Sequence, residues 1–324
     1  MRIALAQINS RLGDFEFNKN KILEFVGKAH TQNCDLVLFP EASLFGYHPV
    51  DLLERPTVVE EQMKALATLH KSLPKGLVVI VGAIVPNEKK GKPYWNAAVW
   101  LEKGKKMRVF PKELLPTYDV FDEGRHIQPG RTEKNQLKWK GRNILITICE
   151  DIWHPEPMAQ AKAAGAALML NLNASPYHQG KQLEREAVVA SRAREGNMPV
   201  AYVNLVGGQD ELVFDGGSVL IDAQGQTQYR APAYSEDLFL ARIECGNKQL
   251  SISAQTITPI SDNLESVYQA LVLGMRDYVN KNRFKGVVLG LSGGIDSALT
   301  LAMAVDALGA ERVEAVMMPF RYTS

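Results

Sequence analysis

GVVLGLSGGIDSALTLAMAVDALG, residues 286–309, reads as a strand, a glycine turn and a helix in immediate succession. Val287, Val288, Leu289 and Leu291 form a short apolar run, expected to be a buried strand. Ser292, Gly293, Gly294, Ile295, Asp296 and Ser297 then turn the chain tightly into an Ala/Leu-rich helix. Such a turn aims backbone N–H groups and a helix N-terminus at one point, which suits a polyanion. It is not a Walker A loop, because GxxxxGK[ST] is absent and no Lys follows the glycines. Downstream, RVEAVMMP reads as one more strand, with Met317 and Met318 expected in its core.

Upstream, Leu264, Val267, Tyr268, Leu271, Val272, Met275, Tyr278 and Val279 follow helical spacing, with Asp262 or Asn263 as the N-cap. Residues 246–262 are polar and aperiodic and are expected to be a linker. Before them, apolar runs at 2–8, 35–39, 77–85, 143–148, 166–172, 200–206 and 237–244 are strand candidates. Helical segments near 17–30, 57–73, 155–166 and 181–196 lie between them, and 95–110 reads as a hairpin turning at 102–105. This mixture argues for a two-layer or four-layer α/β domain over 1–245, with a second domain beginning at 263.

Composition narrows the class. The 324 residues suffice for one large domain and part of another. With 46% hydrophobic and 23% charged residues, the chain has the make-up of a soluble globular protein. A formal charge of +1 offers no electrostatic case for nucleic acid or membrane partners. No apolar run approaches the roughly 18 residues of a membrane span. The N-terminus reads as a first strand without a signal-peptide cleavage pattern. Cys34, Cys149 and Cys245 are odd in number and far apart, which argues against a disulfide framework and for a cytoplasmic setting. The six histidines have no zinc-binding spacing.

Three reactive side chains share one local context. Glu41 follows LVLF-Pro, Lys112 follows MRVF-Pro and Cys149 follows ILITI, so each stands where a strand candidate ends. Proline stops ladder pairing and turns the chain, and a rigid sheet can aim three such ends into one cleft. Together they suit an amide: a carboxylate takes the thiol proton, the thiolate attacks the carbonyl, and an ammonium stabilises the oxyanion. A lone buried Cys is ordinarily a small hydrophobe, and Cys34 and Cys245 read that way.

FPEASLFGY, FPKELLPTYDVFDEGR and ITICEDIWHPE resemble the nitrilase superfamily of Glu-Lys-Cys amidases, and most closely the glutaminase domain of glutamine-dependent NAD synthetases. SGGIDS resembles the pyrophosphate loop of ATP-dependent adenylating enzymes, and SGGIDSALT, VDALGAERV and MMPFRYTS are similar to the synthetase half. The resemblance implies a four-layer α-β-β-α nitrilase-like sandwich followed by the beginning of a Rossmann-like ATP pyrophosphatase domain.

It also implies roles: Cys149 as nucleophile, Glu41 as general base and Lys112 as transition-state stabiliser, with the Glu150 N–H assisting at the oxyanion. Tyr118, Ser175 and Lys181 would hold glutamine, and Glu123 would place Lys112 or the leaving ammonia. Gly290, Leu291, Ser292, Gly293, Gly294, Ile295, Asp296 and Ser297 would bind ATP, with Asp296 near Mg²⁺. The implied small-molecule partners are glutamine, ATP and deamido-NAD (nicotinic acid adenine dinucleotide). A homo-oligomer is implied as well.

A synthetase domain needs more residues than 263–324 supply, so the sequence is expected to be a piece of a longer chain. Glutaminase chemistry is expected without the remainder, and NAD⁺ synthesis is not. Two other classes stay open. A free-standing amidase or carbamoylase would act on amides other than glutamine. A binding module with a spent triad would leave Cys149 unreactive toward alkylation near neutral pH.

Overall fold

The structure, a computed structural model, describes residues 1–245, 250–253 and 256–319. The Cys245 side chain and residues 320–324, part of the MMPFRYTS match, lie outside the described residues. The chain opens with β1 (Arg2–Gln7), α1 (Phe15–Thr31), β2 (Leu36–Leu38), α2 (Pro56–Ser72), β3 (Val78–Pro86), β4 (Tyr94–Glu102) and β5 (Arg108–Pro111). It continues through β6 (Gln136–Trp139), β7 (Arg142–Ile148), α3 (Pro155–Ala163), β8 (Ala166–Asn173), α4 (Lys181–Gly196) and β9 (Val200–Asn204). Then come β10 (Val206–Gln209), β11 (Leu212–Asp215), β12 (Val219–Ile221), β13 (Thr227–Arg230), β14 (Asp237–Cys245) and β15 (Leu250–Ile252). The last elements are α5 (Asn263–Lys281), β16 (Val287–Leu291), α6 (Ile295–Leu308) and β17 (Val313–Met317).

Two sheets carry the first part, a seven-stranded one in the order β15-β14-β1-β2-β3-β4-β5 and a six-stranded one in the order β13-β12-β9-β8-β7-β6. Alternation along the strands divides the core. Ile3, Leu5, Leu36, Leu38, Ile146 and Leu170 meet between the sheets. Ala4, Ala6, Val37 and Val79 turn the other way, onto Ile22 and Phe25 of α1 and Leu66 and Leu69 of α2. Leu145, Met169 and Val200 likewise pack outward on Met158 of α3 and Val189 of α4. The result is α-β-β-α, as the pattern of side-chain direction in strands requires. Helix α1 forms because Phe15, Ile22, Phe25, Val26 and Ala29 recur on one face, and Asp14 caps it by accepting from Phe17 N at 3.1 Å.

Some expectations change. Residues 250–252, inside the stretch read as a linker, form β15 and pair with β14 on the sheet edge. Residues 200–206 are not one strand: β9 stays in its sheet, whereas β10 leaves it to pair with β11 in a separate hairpin. Helix α5 lies on that hairpin. A Cβ on Gly208 would come 2.9 Å from Gly274 Cα, so this pair of glycines sets how near strand and helix backbones approach. Strand β16 is half-exposed rather than buried. Among the described residues its only strand neighbour is the parallel β17, with α6 also packed against it through Met303, Val287 and Val313. For the same reason Met317 and Met318, expected in a core, are 67% and 74% exposed.

Candidate active site

The ends of β2, β5 and β7 bring Glu41, Lys112 and Cys149 to one buried place. Pro40 follows two residues after the end of β2, and the chain turns at Ala42, whose φ is +47°. Strand β3 passes directly beneath: a Cβ on Gly82 would lie 2.1 Å from Ala42 N and 2.5 Å from Pro40 O. Ser43 ties the turn down, its Oγ accepting from Gly82 N at 3.1 Å. Cys149 opens a short 3-10 turn, Cys149–Ile152, straight after β7. Its φ is +43°, a conformation that non-glycine residues rarely adopt and that local packing must hold.

Glu41 and Lys112 are both fully buried. Lys112 Nζ donates to Glu41 Oε1 at 2.8 Å and to Glu123 Oε1 at 2.9 Å. Glu41 also accepts from Asn96 Nδ2 at 2.7 Å and Ala174 N at 3.0 Å, and Tyr47 Oη donates to Glu123 at 2.9 Å. Burial alone would depress the Lys112 pKa, but Glu123 and Glu41 outweigh it and hold the ammonium well above the ordinary lysine value. Burial raises Glu123, with Lys112 opposing and Glu41 reinforcing. Burial also lifts the Cys149 thiol well above its usual range, Glu41 adds to the rise, and Lys112 pulls against it. The resting group is therefore a thiol beside a charged ammonium, and it needs a base to become a nucleophile.

Of the residues expected to hold glutamine, Tyr118 is half-exposed and donates to Glu150 Oε2 at 2.9 Å, next to Cys149 in sequence. Ser175 is buried, its N–H donating to Asn204 Oδ1 at 2.9 Å and its carbonyl accepting from Arg185 at 3.3 Å. Arg185 is itself held by a buried pair with Asp215 at 2.8 Å. Lys181 stands apart from this cluster. Its Nζ lies 4.0 Å from the centre of the Trp153 ring and pairs with Glu184 at 3.2 Å. Asn96, Tyr47, Asp151 and Arg185 escaped the reading of the sequence. Only Asn96, a polar amide inside the apolar run YWNAAVW, carried a local signal, since a buried amide demands partners.

The glycine loop joins β16 to α6. Gly293 has φ +86°, with nothing within 4 Å of an added Cβ. Gly294 N donates to Ser292 Oγ at 3.3 Å, and Ser297 Oγ donates to Gly294 O at 2.9 Å. Asp296 is exposed in the first turn of α6. The loop thus leads into the N-terminus of a 14-residue helix, whose free N–H groups suit an anion.

Glu, Lys and Cys thus lie buried at neighbouring strand ends of a four-layer sandwich, and the chain belongs to the carbon-nitrogen hydrolase family, whose model matches residues 2–249. Residues 267–324 match NAD synthase. The chain is similar to the glutamine-dependent NAD(+) synthetase of Synechocystis sp., 40% identical over 337 residues, covering 99% of this chain and 60% of that protein. It is also similar to the structure of glutamine-dependent NAD+ synthetase from Acinetobacter baumannii in complex with ADP. That match has a TM-score of 0.92 at 40% identity, covering 100% of this chain and 60% of that one. An amidase from Nesterenkonia sp. matches with a TM-score of 0.65 at 26% identity, covering 74% of this chain and 89% of that one. The chain thus spans about 60% of the length of these synthetases.

Proposed function

We propose that residues 1–245 hydrolyse the side-chain amide of glutamine, and that residues 263–324 begin the ATP-dependent half of a glutamine-dependent NAD(+) synthetase. The observation that carries this reading is the buried Glu41–Lys112–Glu123 cluster beside the buried Cys149 thiol. In the first step Glu41 takes the Sγ proton as sulfur attacks the amide carbon. Lys112 and the Glu150 N–H stabilise the oxyanion. Glu41 returns the proton to the departing nitrogen, leaving ammonia and a glutamyl thioester on Cys149. Water, deprotonated by Glu41, then attacks the thioester carbon, the C–S bond breaks, and glutamate leaves with the thiol restored. Tyr118 and Ser175 suit the amino-acid end of the substrate, and Lys181 would join them only by leaving its Glu184 pair.

Gly290 through Ser297 would hold the ATP phosphates, and Asp296 would offer Mg²⁺ a single carboxylate alongside phosphate oxygens, the usual manner for that ion. ATP would supply the activation of the deamido-NAD carboxylate that ammonia then amidates. Both the Synechocystis and Acinetobacter relatives, named as glutamine-dependent NAD(+) synthetases, support this assignment, as does the match to NAD synthase. The test is ammonia release from glutamine by the chain and by Cys149→Ala, each with and without ATP plus deamido-NAD. Release that vanishes in Cys149→Ala is the expected result. Release that persists there, or hydrolysis of other amides but not glutamine, would favour the free-standing amidase.

A further inference from the structure

Asp151 lies fully buried two residues beyond Cys149. Both of its oxygens are engaged by main chain. Oδ2 accepts from Ile148 N at 2.9 Å, while Oδ1 accepts from Leu114 N at 2.9 Å and Glu113 N at 3.2 Å. Ile148 ends β7 and immediately precedes Cys149, and Glu113 and Leu114 immediately follow Lys112. Strand β5 belongs to the seven-stranded sheet and β7 to the six-stranded one. One carboxylate therefore bridges the two sheets at the point where each delivers a reacting side chain. Among the described residues no cation pairs with it, so its bonds serve backbone geometry alone.

We propose that Asp151 is a positioning residue, clamping the strand end that carries Lys112 to the turn that carries Cys149 and so fixing the ammonium relative to the sulfur. This rests on the reading of Cys149 and Lys112 as a reacting pair. A carboxylate is required because three N–H donors converge on two acceptor oxygens, and an amide in its place would turn a donor toward at least one of them. Burial raises Asp151 to about 7, against the bonds from Leu114, Ile148 and Glu113 and the field of Lys112. As pH falls through that value the carboxyl gains an O–H that faces only donors, and the clamp loosens on the acid side.

The experiment compares the full chain with Asp151→Asn. Glutamine hydrolysis and alkylation of Cys149 by iodoacetamide are both followed from pH 5.5 to 8.5. Misplacing a reacting group by about 1 Å can lower kcat on the order of 10²-fold, so a fall approaching that size is expected with KM changed little. The wild-type acid step near pH 7 should disappear in the variant, and its Cys149 should alkylate more slowly. Unchanged kcat, or a lower kcat with the wild-type acid step intact, would overturn the proposal. If Asp151→Asn does not fold, hydrogen exchange in the wild-type chain decides. Protection at Glu113, Leu114 and Ile148 should drop relative to β8 as pH falls through about 7, and constant protection overturns the clamp. If the wild-type chain releases no ammonia from glutamine, the glutaminase reading fails by itself, and the alkylation rates still judge Asp151.

Discussion

Replacing Lys112 by Met would leave two buried carboxylates facing each other without their shared cation. Glu41 would keep Asn96 and Ala174 as donors, whereas Glu123 would keep, among the described residues, only Tyr47. Removing one partner of a buried pair costs roughly 3–5 kcal/mol, which for a domain of this size lowers Tm by roughly 6–20 °C. The deficit should depend on pH. In the wild type the Lys112 pKa is raised, so its contribution is present below the unfolded lysine value and constant from pH 5 to 9. In Lys112→Met, Glu123 rises further above its unfolded pKa, the folded state binds a proton that the unfolded state releases, and stability is lost as pH rises. The gap to wild type should therefore be smallest near pH 5 and widen toward pH 8. Thermal melts of both proteins across that range measure it. A gap below about 1 kcal/mol, or one equal at both ends, would refute the view that Lys112 compensates buried charge. Glutaminase activity in the same variant should fall by about 10²–10³-fold.

Gly82→Ala forces a Cβ against backbone atoms of the Pro40–Ala42 turn; overpacking costs about 1–3 kcal/mol or more, and melting together with glutamine turnover should show loss of both as Glu41 moves. Tyr118→Phe removes the bond that tethers the ring to Glu150, worth about 0.5–1.5 kcal/mol; the loosened ring should raise KM for glutamine by up to roughly 12-fold with kcat nearly constant in steady-state assays. Asp277→Ala strips Asn9 and Gly208 N of their acceptor, bonded at 2.6 and 2.8 Å, and leaves the half-buried Lys281 ammonium without its carboxylate at 3.6 Å. Hydrogen exchange should speed up through α5 while α1 is unaffected.

What could be read from the sequence, and what could not, divides along a physical line. Strand ends followed by Pro-Glu, Pro-Lys and Cys are local events, and the alternation that places Ile3 and Leu5 on one face and Ala4 and Ala6 on the other is local too. The partners of those ends are not. Asn96 meets Glu41 because β4 and β2 flank β3, and Asp151 meets Leu114 across two sheets; no periodicity encodes either distance. Helix α5 shows the limit most clearly. Its apolar spacing located the helix and left two candidates for its cap, of which Asp262 is the cap and accepts from Glu265 N at 2.9 Å. It did not identify which face is covered: Leu264, Leu271 and Tyr278 lie in solvent, whereas the polar Asp277 is buried. Spacing reports only where apolar groups recur. Asp277 is buried because Asn9 and Gly208 of the first part present donors to it, and Lys281 follows it inward to donate to the Ser10 and Gly208 carbonyls at 2.8 Å. A polar contact of this kind holds α5 in one register on β10, since a slip of one residue would leave the buried Asp277 carboxylate without its donors and Lys281 without its acceptors. Apolar packing alone would tolerate that slip far better.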